Sequence, residues 1–143
     1  MSQIVCNLTH ISRCGAQYRG RRLEPLGLTP RQASLLMEIC ATPGISQDTL
    51  ARRVFLNKSV VARTLAALEE QGLVERPICQ KDKRITRLHP TEKALQLQPK
   101  LQAIWAECEH FLTEGMTEDE VACLEGLLVR LKSQAARWME AEG

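Results

Sequence analysis

The sequence predicts a mostly α-helical protein with a small β-wing, a winged helix-turn-helix lobe on a base of N- and C-terminal helices. Ser46 and Asn57 are polar helix starts that each precede apolar residues at helical spacing, which is typical of two helices joined by a tight turn. Two short apolar segments flank the charged stretch 80–83, which favours a β-hairpin. Long amphipathic segments before and after this region predict the supporting helices.

The first fifty residues predict two helices. The first runs from about Ile4 to Leu23 and is closed by Pro25 and Gly27. Its apolar face comprises Ile4, Leu8, Ile11 and Gly15. The stretch 29–32, Thr-Pro-Arg-Gln, is a capping box with proline at the first helical position, and it predicts a second helix that ends at residues 42–44.

The central region predicts two further short helices and the hairpin. The fourth helix begins at Asn57, turns Leu65 and Leu68 toward the core, and ends at Gly72, where a left-handed residue is favoured. Its outer face is expected to carry Lys58, Ser59, Arg63 and Thr64. Residues 73–77 and 85–89 are expected to pair as the two strands of the hairpin.

The last fifty residues predict two long helices. Thr91 caps the first, whose apolar positions alternate at spacings of three and four residues through Leu112, and Pro99 is expected to bend it. A second capping box at residues 117–120 opens the last helix. This apolar surface exceeds what a small winged lobe needs, so we expect a homodimer, the alternative being a bundle within one chain.

Composition and charge limit the possible function classes. A chain of 143 residues is expected to be one domain, or one domain with a dimerisation extension, and we divide it into a dimerisation helix (1–28), the winged helix-turn-helix (29–91) and C-terminal dimerisation helices (92–143). No apolar run is long enough for a membrane span and no signal peptide is evident, so a cytoplasmic protein with reduced cysteines is expected. Residues 51–93 carry ten Lys/Arg and five Asp/Glu, whereas residues 94–143 carry four and nine, which places a polyanionic partner on the middle segment.

The residue pattern does not indicate a catalytic site or a metal site. The three histidines are far apart and lack cysteine or carboxylate neighbours at repeated ligand spacing. No Gly-rich phosphate loop and no nucleophile elbow occurs. We therefore expect no enzyme, no metal and no cofactor.

A helix-turn-helix whose second helix shows short polar and basic groups fits the major groove of double-stranded DNA. Arg63 has the fork that pairs with guanine, and Ser59 and Thr64 suit base edges or phosphates. Ser46 and Gln47, at a helix start, are expected to donate to phosphates. The alternatives are a solvated basic face and a module that binds an acidic protein, which salt-dependent DNA binding would distinguish.

A family resemblance follows from these motifs. Residues 57–65 (NKSVVARTL) and 68–74 (LEEQGLV) resemble the recognition helix of MarR-family transcriptional regulators, and Asp82-Lys83-Arg84, followed by Leu88 and Thr91, resembles the family's wing signature. The resemblance implies a dimeric repressor that binds a palindromic operator. It places the recognition-helix residues Lys58, Ser59, Arg63 and Thr64 in the major groove. It places Arg84 near the minor groove, held by Asp82, with Lys83 adding charge to the wing tip.

The resemblance also implies two classes of signal. One is a small aromatic molecule bound where the winged lobe meets the helical base, with His10, Arg13 and Tyr18 as candidates for the polar side of its site. The other is oxidation of Cys6 or Cys14, for which Arg13 or His10 would supply a nearby positive charge. The competing interpretation of each cysteine is a small side chain that only packs.

Overall fold

A computed structural model of the chain describes residues 3–77 and 85–142. These residues form six α-helices and three short strands, a mostly helical architecture that confirms the predicted fold class. In chain order they are α1 (Gln3–Leu23), α2 (Pro30–Ala41), β1 (Ile45–Ser46), α3 (Gln47–Val54), α4 (Lys58–Glu70), β2 (Val74–Glu75), β3 (Arg87–Pro90), α5 (Glu92–Leu112) and α6 (Glu118–Glu142). A single turn of 3-10 helix, Glu24–Leu26, follows α1.

The helix starts lie where the capping residues predict them. The Gln32 backbone N–H donates to Thr29 Oγ1 at 3.2 Å, while the Thr29 N–H donates to Gln32 Oε1 at 3.0 Å, which completes a capping box. Asn57 Oδ1 accepts from the Val60 N–H at 2.8 Å at the start of α4. Such caps satisfy amides that no helical carbonyl can reach, and each is worth about 1 kcal/mol.

The sheet contains one strand more than the predicted hairpin. Its three antiparallel strands follow the order β1-β3-β2, with Ile45 opposite Leu88 and Val74 opposite Pro90. β1 was not predicted, since two residues directly before a helix are too few to show a strand's alternation. The described strands of the hairpin are also shorter than the predicted segments 73–77 and 85–89.

The core lies where α2, α3, α4 and α5 meet the sheet. Leu36, Leu50, Leu65, Leu88 and Leu101 are all fully buried in it. Burying a leucine contributes about 1.5–3 kcal/mol, so these residues fix α4 and the sheet on one support. The helix-turn-helix is therefore set by the same core that anchors α5.

The described chain divides into two compact units, Met1–Cys108 and Glu109–Gly143, with the division inside α5. The domain boundaries predicted at residues 28 and 91 stay a prediction. α6 contains no buried residue, and several of its large apolar side chains are exposed. None of the helices in the described ranges combines the length and apolar character needed to cross a bilayer.

Candidate nucleic-acid interface

α4 presents two distinct faces. Val61, Leu65 and Leu68 are completely buried on the inner face, whereas Arg63 is exposed on the outer side. Lys58 and Ser59, in the first turn, are also exposed. Because the inner face is packed into the core, the polar outer face is presented to solvent on a rigid support. A charged helix in this setting is suited to contact a partner without rearranging.

The expectation that Thr64 lies on the outer face is wrong. Its side chain is only 9% exposed, and its hydroxyl donates to the Val60 carbonyl oxygen at 2.8 Å. A threonine one residue after Arg63 is turned by about 100° around the helix axis, which brings it to the edge of the packed face. We therefore remove Thr64 from the candidate DNA contacts.

The polar groups at the start of α4 are organised by short contacts. The Ser59 hydroxyl donates to Asn57 Oδ1 at 2.8 Å, which orients both side chains. Lys58 Nζ lies 3.5 Å from Asp48 Oδ1 of α3, and both side chains remain largely exposed. The pair links the first turns of the two helices, and it places one negative charge beside the basic face.

The other end of α4 is held by the start of α5. Gly72 ends the helix at a φ of 73°, as predicted, and its carbonyl accepts the Thr91 hydroxyl at 2.7 Å. The Thr91 backbone N–H donates to the Leu73 carbonyl at 3.1 Å, and Lys93 Nζ donates to the Gln71 carbonyl at 2.8 Å. A cation at the C-terminal end of a helix is favourable because the helix dipole is negative there.

An ion pair between Glu69 and Arg76 joins α4 to the residue after β2. The Arg76 guanidinium donates to Glu69 Oε2, and both side chains are about two-thirds buried or more. This hydrogen bond lowers the pKa of Glu69, although partial burial acts in the opposite direction. The same bond raises the pKa of Arg76. The pair therefore fixes the entry to the wing against α4.

Replacing Glu69 by glutamine is expected to lower the free energy of unfolding at neutral pH by about 1 kcal/mol, because a charged hydrogen bond is lost at a partly exposed site. The pKa of Glu69 is lowered on folding, so its stabilisation is present above the ordinary glutamate pKa of about 4.3 and is lost as the pH falls through the lower folded value. Urea titrations of both proteins from neutral into acid check this. A difference that stays constant into acid would contradict the ion pair, and Glu70→Gln, at the exposed neighbour, is the control.

The two candidates at the start of α3 are already engaged within the chain. Ser46 Oγ accepts the Thr49 backbone N–H at 3.1 Å and donates to Thr49 Oγ1 at 2.8 Å. The Gln47 backbone N–H donates to the Thr86 carbonyl at 3.0 Å. Both residues stay predicted phosphate contacts, with Gln47 offering its half-buried side-chain amide.

Two candidate residues on α3 and β3 were missed by the sequence analysis. Arg52 of α3 and Arg87 of β3 line one groove, although they lie 35 residues apart. The exposed position of Arg87 next to buried Leu88 follows from strand alternation and was available from the pattern. Its proximity to Arg52 was not, since it depends on the pairing of β1 with β3.

The predicted wing-tip residues Asp82, Lys83 and Arg84 lie outside the described residues, so their DNA roles stay predictions. The described parts of the wing end at Pro77 and resume at Ile85.

The three candidates for an effector site have different surroundings. His10 and Arg13 are exposed on α1, whereas Tyr18 is half-buried. The Arg22 guanidinium lies 5.4 Å from the centre of the Tyr18 ring, and burial together with a hydrogen bond to Glu107 raises the pKa of Tyr18. Arg22 also forms an ion pair with Glu107 at 2.9 Å. Tyr18 is therefore the member of this set that has a structured polar environment.

The two predicted redox cysteines also differ, since Cys6 is half-buried and Cys14 is exposed. An arginine instead reaches the buried Cys108, where Arg19 Nη1 lies 3.8 Å from Sγ. Arg19 also lies over the Trp105 ring, 5.2 Å from its centre. Sequence reasoning had no signal for this contact, because the two residues are far apart in the chain. Within the described ranges, no group of three or more His, Cys, Asp or Glu side chains is arranged to hold a metal ion.

Comparisons with known proteins agree with this geometry. A sequence model of the MarR family matches residues 26–85. The HTH-type transcriptional regulator YybA of Bacillus subtilis (strain 168) is 28% identical over 137 residues, which cover 96% of this chain and 91% of that protein. A crystal structure of MarR is 32% identical, covers 100% of this chain and 99% of its own, and superposes with a TM-score of 0.88. A MarR family transcriptional regulator from Listeria monocytogenes, solved in complex with 26mer DNA, is 26% identical, covers 99% and 95% of the two chains, and superposes with a TM-score of 0.93.

Proposed function

We propose that this chain, which belongs to the MarR family of transcriptional regulators, is a cytoplasmic repressor that binds a palindromic operator in double-stranded DNA as a homodimer. The main support for DNA binding is the exposed outer face of α4. Lys58, Ser59 and Arg63 lie there, on a helix whose two ends contact neighbouring elements. A helix of this kind inserts into the major groove, where arginine reads guanine through two hydrogen bonds. The similar Listeria protein that was solved with DNA supports this proposal.

The homodimer is supported by apolar surface that this chain leaves exposed. On α6, Leu124, Leu128, Leu131 and Trp138 recur at spacings of three, four or seven residues and are 37% to 67% exposed. On α1, Ile4, Leu8 and Ile11 follow spacings of four and three residues and are 40% to 63% exposed. A soluble protein rarely exposes such continuous apolar stripes unless a partner covers them. A second copy is the partner that also serves function, because two recognition helices about 34 Å apart read a palindrome.

The proposed release signal is a small aromatic ligand that contacts Tyr18. The half-buried ring beside Arg22 provides an aromatic surface and a cation, which suit an aromatic acid. His10 and Arg13 remain proposed contacts from the exposed side of α1.

Selection of bound sequences from random duplex DNA tests the function directly. A palindrome among the selected sequences is the expected result, and its release should then be measured with a panel of aromatic acids. Binding to an acidic protein with no salt-dependent affinity for duplex DNA would favour an interaction module instead.

Asp48→Asn is expected to tighten binding to duplex DNA roughly two- to fivefold, since removing an exposed charge changes binding by about 0.4–1 kcal/mol. The substitution removes a negative charge that lies 3.5 Å from Lys58 on the proposed DNA face. Fluorescence anisotropy at low salt measures the effect, which should shrink as salt screens the charge. Asp48→Glu keeps the charge and should bind like the wild type. Weaker binding by Asp48→Asn would instead mean that Asp48 is needed to position Lys58.

A further inference from the structure

A groove of about 680 Å³ lies between α3 and the start of β3. Three arginines from two distant segments line it, Arg52 and Arg53 of α3 and Arg87 of β3. Asp48 is the one carboxylate among its described lining residues. The groove is therefore positively charged, and α3 and the sheet together form its walls.

Arg87 is anchored by the main chain of the neighbouring segment. Its Nη1 donates to the Gly44 carbonyl oxygen at 3.0 Å, and Arg87 lies opposite Ser46 in the sheet. The Gly44 backbone N–H in turn donates to the Leu88 carbonyl at 2.8 Å, which holds this acceptor in place. A guanidinium has five N–H donors, so the anchored side chain keeps donors for a ligand.

Arg52 is held by a different residue from the one that holds Arg87. Its Nη2 lies 3.4 Å from Thr49 Oγ1, and Thr49 is itself fixed by Ser46. Arg53 differs, because it donates to Thr42 and lies 3.6 Å from a Glu38 carboxylate oxygen that offsets its charge.

Neither Arg52 nor Arg87 has a carboxylate within 4.0 Å in the described part of the chain. Among the described residues, these two cations are therefore oriented by hydrogen bonds and form no ion pair with a carboxylate. An anion is the ligand class that such a pair favours.

The groove adjoins the recognition helix. Asp48 lines it and contacts Lys58 in the first turn of α4, so the lining continues to the proposed DNA face. A helix that lies in the major groove is flanked by sugar-phosphate strands, which must pass its neighbouring elements. No aromatic side chain occurs among the described lining residues, so a nucleic-acid base has no described ring to stack on in this groove.

We propose that this groove holds the sugar-phosphate backbone of the bound duplex, with Arg52 and Arg87 as phosphate contacts. This role depends on the DNA-binding function proposed above and adds contacts that raise affinity without reading sequence. Guanidinium forks match phosphate oxygens, and each neutralised phosphate releases counterions from the DNA. In this proposal Arg63 reads the base sequence, whereas the groove binds the DNA backbone.

The test measures the salt dependence of binding for the double variant Arg52→Gln/Arg87→Gln on a selected operator and on a random duplex, from about 50 to 300 mM salt. Log affinity decreases with log salt, and the variant should show a shallower decrease. The magnitude of the slope should be smaller by about 0.9 for each phosphate that the variant no longer neutralises, and so by about 3.6 for the four arginines replaced in a dimer. The ratio of operator to random affinity should stay unchanged.

Two matched variants control for charge and folding. Lys100→Gln removes one positive charge from an exposed position on α5 and should leave the slope unchanged. The double variant Arg52→Lys/Arg87→Lys keeps both charges and should retain most of the wild-type slope.

An unchanged slope in the glutamine variant, or an affinity loss confined to the operator, would overturn the phosphate role while leaving DNA binding intact. A wild-type chain without salt-dependent affinity for any duplex would overturn the DNA-binding function as well. The last experiment adds inorganic phosphate and compares its effect with that of chloride at equal ionic strength. Phosphate that binds the wild type but not the glutamine variant, and does so equally well with and without saturating operator, would assign the groove to a free anion and overturn its assignment to the backbone.

Discussion

Leu128→Asp is expected to convert the proposed dimer to a monomer and to weaken operator binding about a hundredfold or more, because the second half-site would no longer bind at high effective concentration. Leu128 lies in the middle of the exposed apolar stripe of α6 and is 40% exposed within one chain. Introducing a carboxylate there leaves the core of the chain untouched, whereas a buried, unpaired charge at an interface is strongly unfavourable. Sedimentation velocity and operator titrations on the same samples measure both effects.

Ser133→Asp provides the matched control for this variant. Ser133 is exposed on the same helix but lies off the stripe, so the added charge should change neither the oligomeric state nor the affinity. A Leu128→Asp protein that remained dimeric with wild-type affinity would show that α6 does not form the dimer contact.

Arg63→Ala is expected to weaken operator binding by about 1–3 kcal/mol for each half-site and to relax the preference at one base pair of each. The exposed guanidinium stands on the outer face of α4, opposite the fully buried Val61 and Leu65. Because the side chain is solvent-exposed, its loss should change the free energy of unfolding by no more than about 0.5 kcal/mol. Titrations against the operator and its single-base variants check the specificity change.

Arg63→Lys separates charge from geometry at the same position. Lysine keeps the positive charge but loses the planar fork, so we expect it to bind random DNA like the wild type while still losing base preference. Wild-type specificity in both variants would exclude Arg63 as a base-reading residue.

Local features of the fold could be predicted because neighbouring residues cause them. Thr29, Ser46, Asn57 and Thr117 each accept the backbone N–H expected of a helix cap. Gly72 adopts the left-handed conformation that its place after a helix favours. Each of these interactions closes within three or four residues, so the order of residue types already contains it.

Side-chain surroundings at the edges of a face were harder to predict. Thr64 follows Arg63 directly, yet it packs inward and bonds to Val60. Spacing alone places the centre of an apolar face well, but its edge depends on which neighbours come close. The short strand β1 was missed for a related reason, since only its partner β3 makes it a strand.

By itself the sequence determined the helix starts and ends, the centres of the buried and polar faces of α4, and the family to which the chain belongs, because all three depend on residue types at short spacings. Only the tertiary structure decided that Arg52 and Arg87 share a groove, that Arg19 reaches Cys108, and that Glu69 holds Arg76. These contacts join segments whose approach depends on the packing of the whole core, and no local pattern records the distance between them.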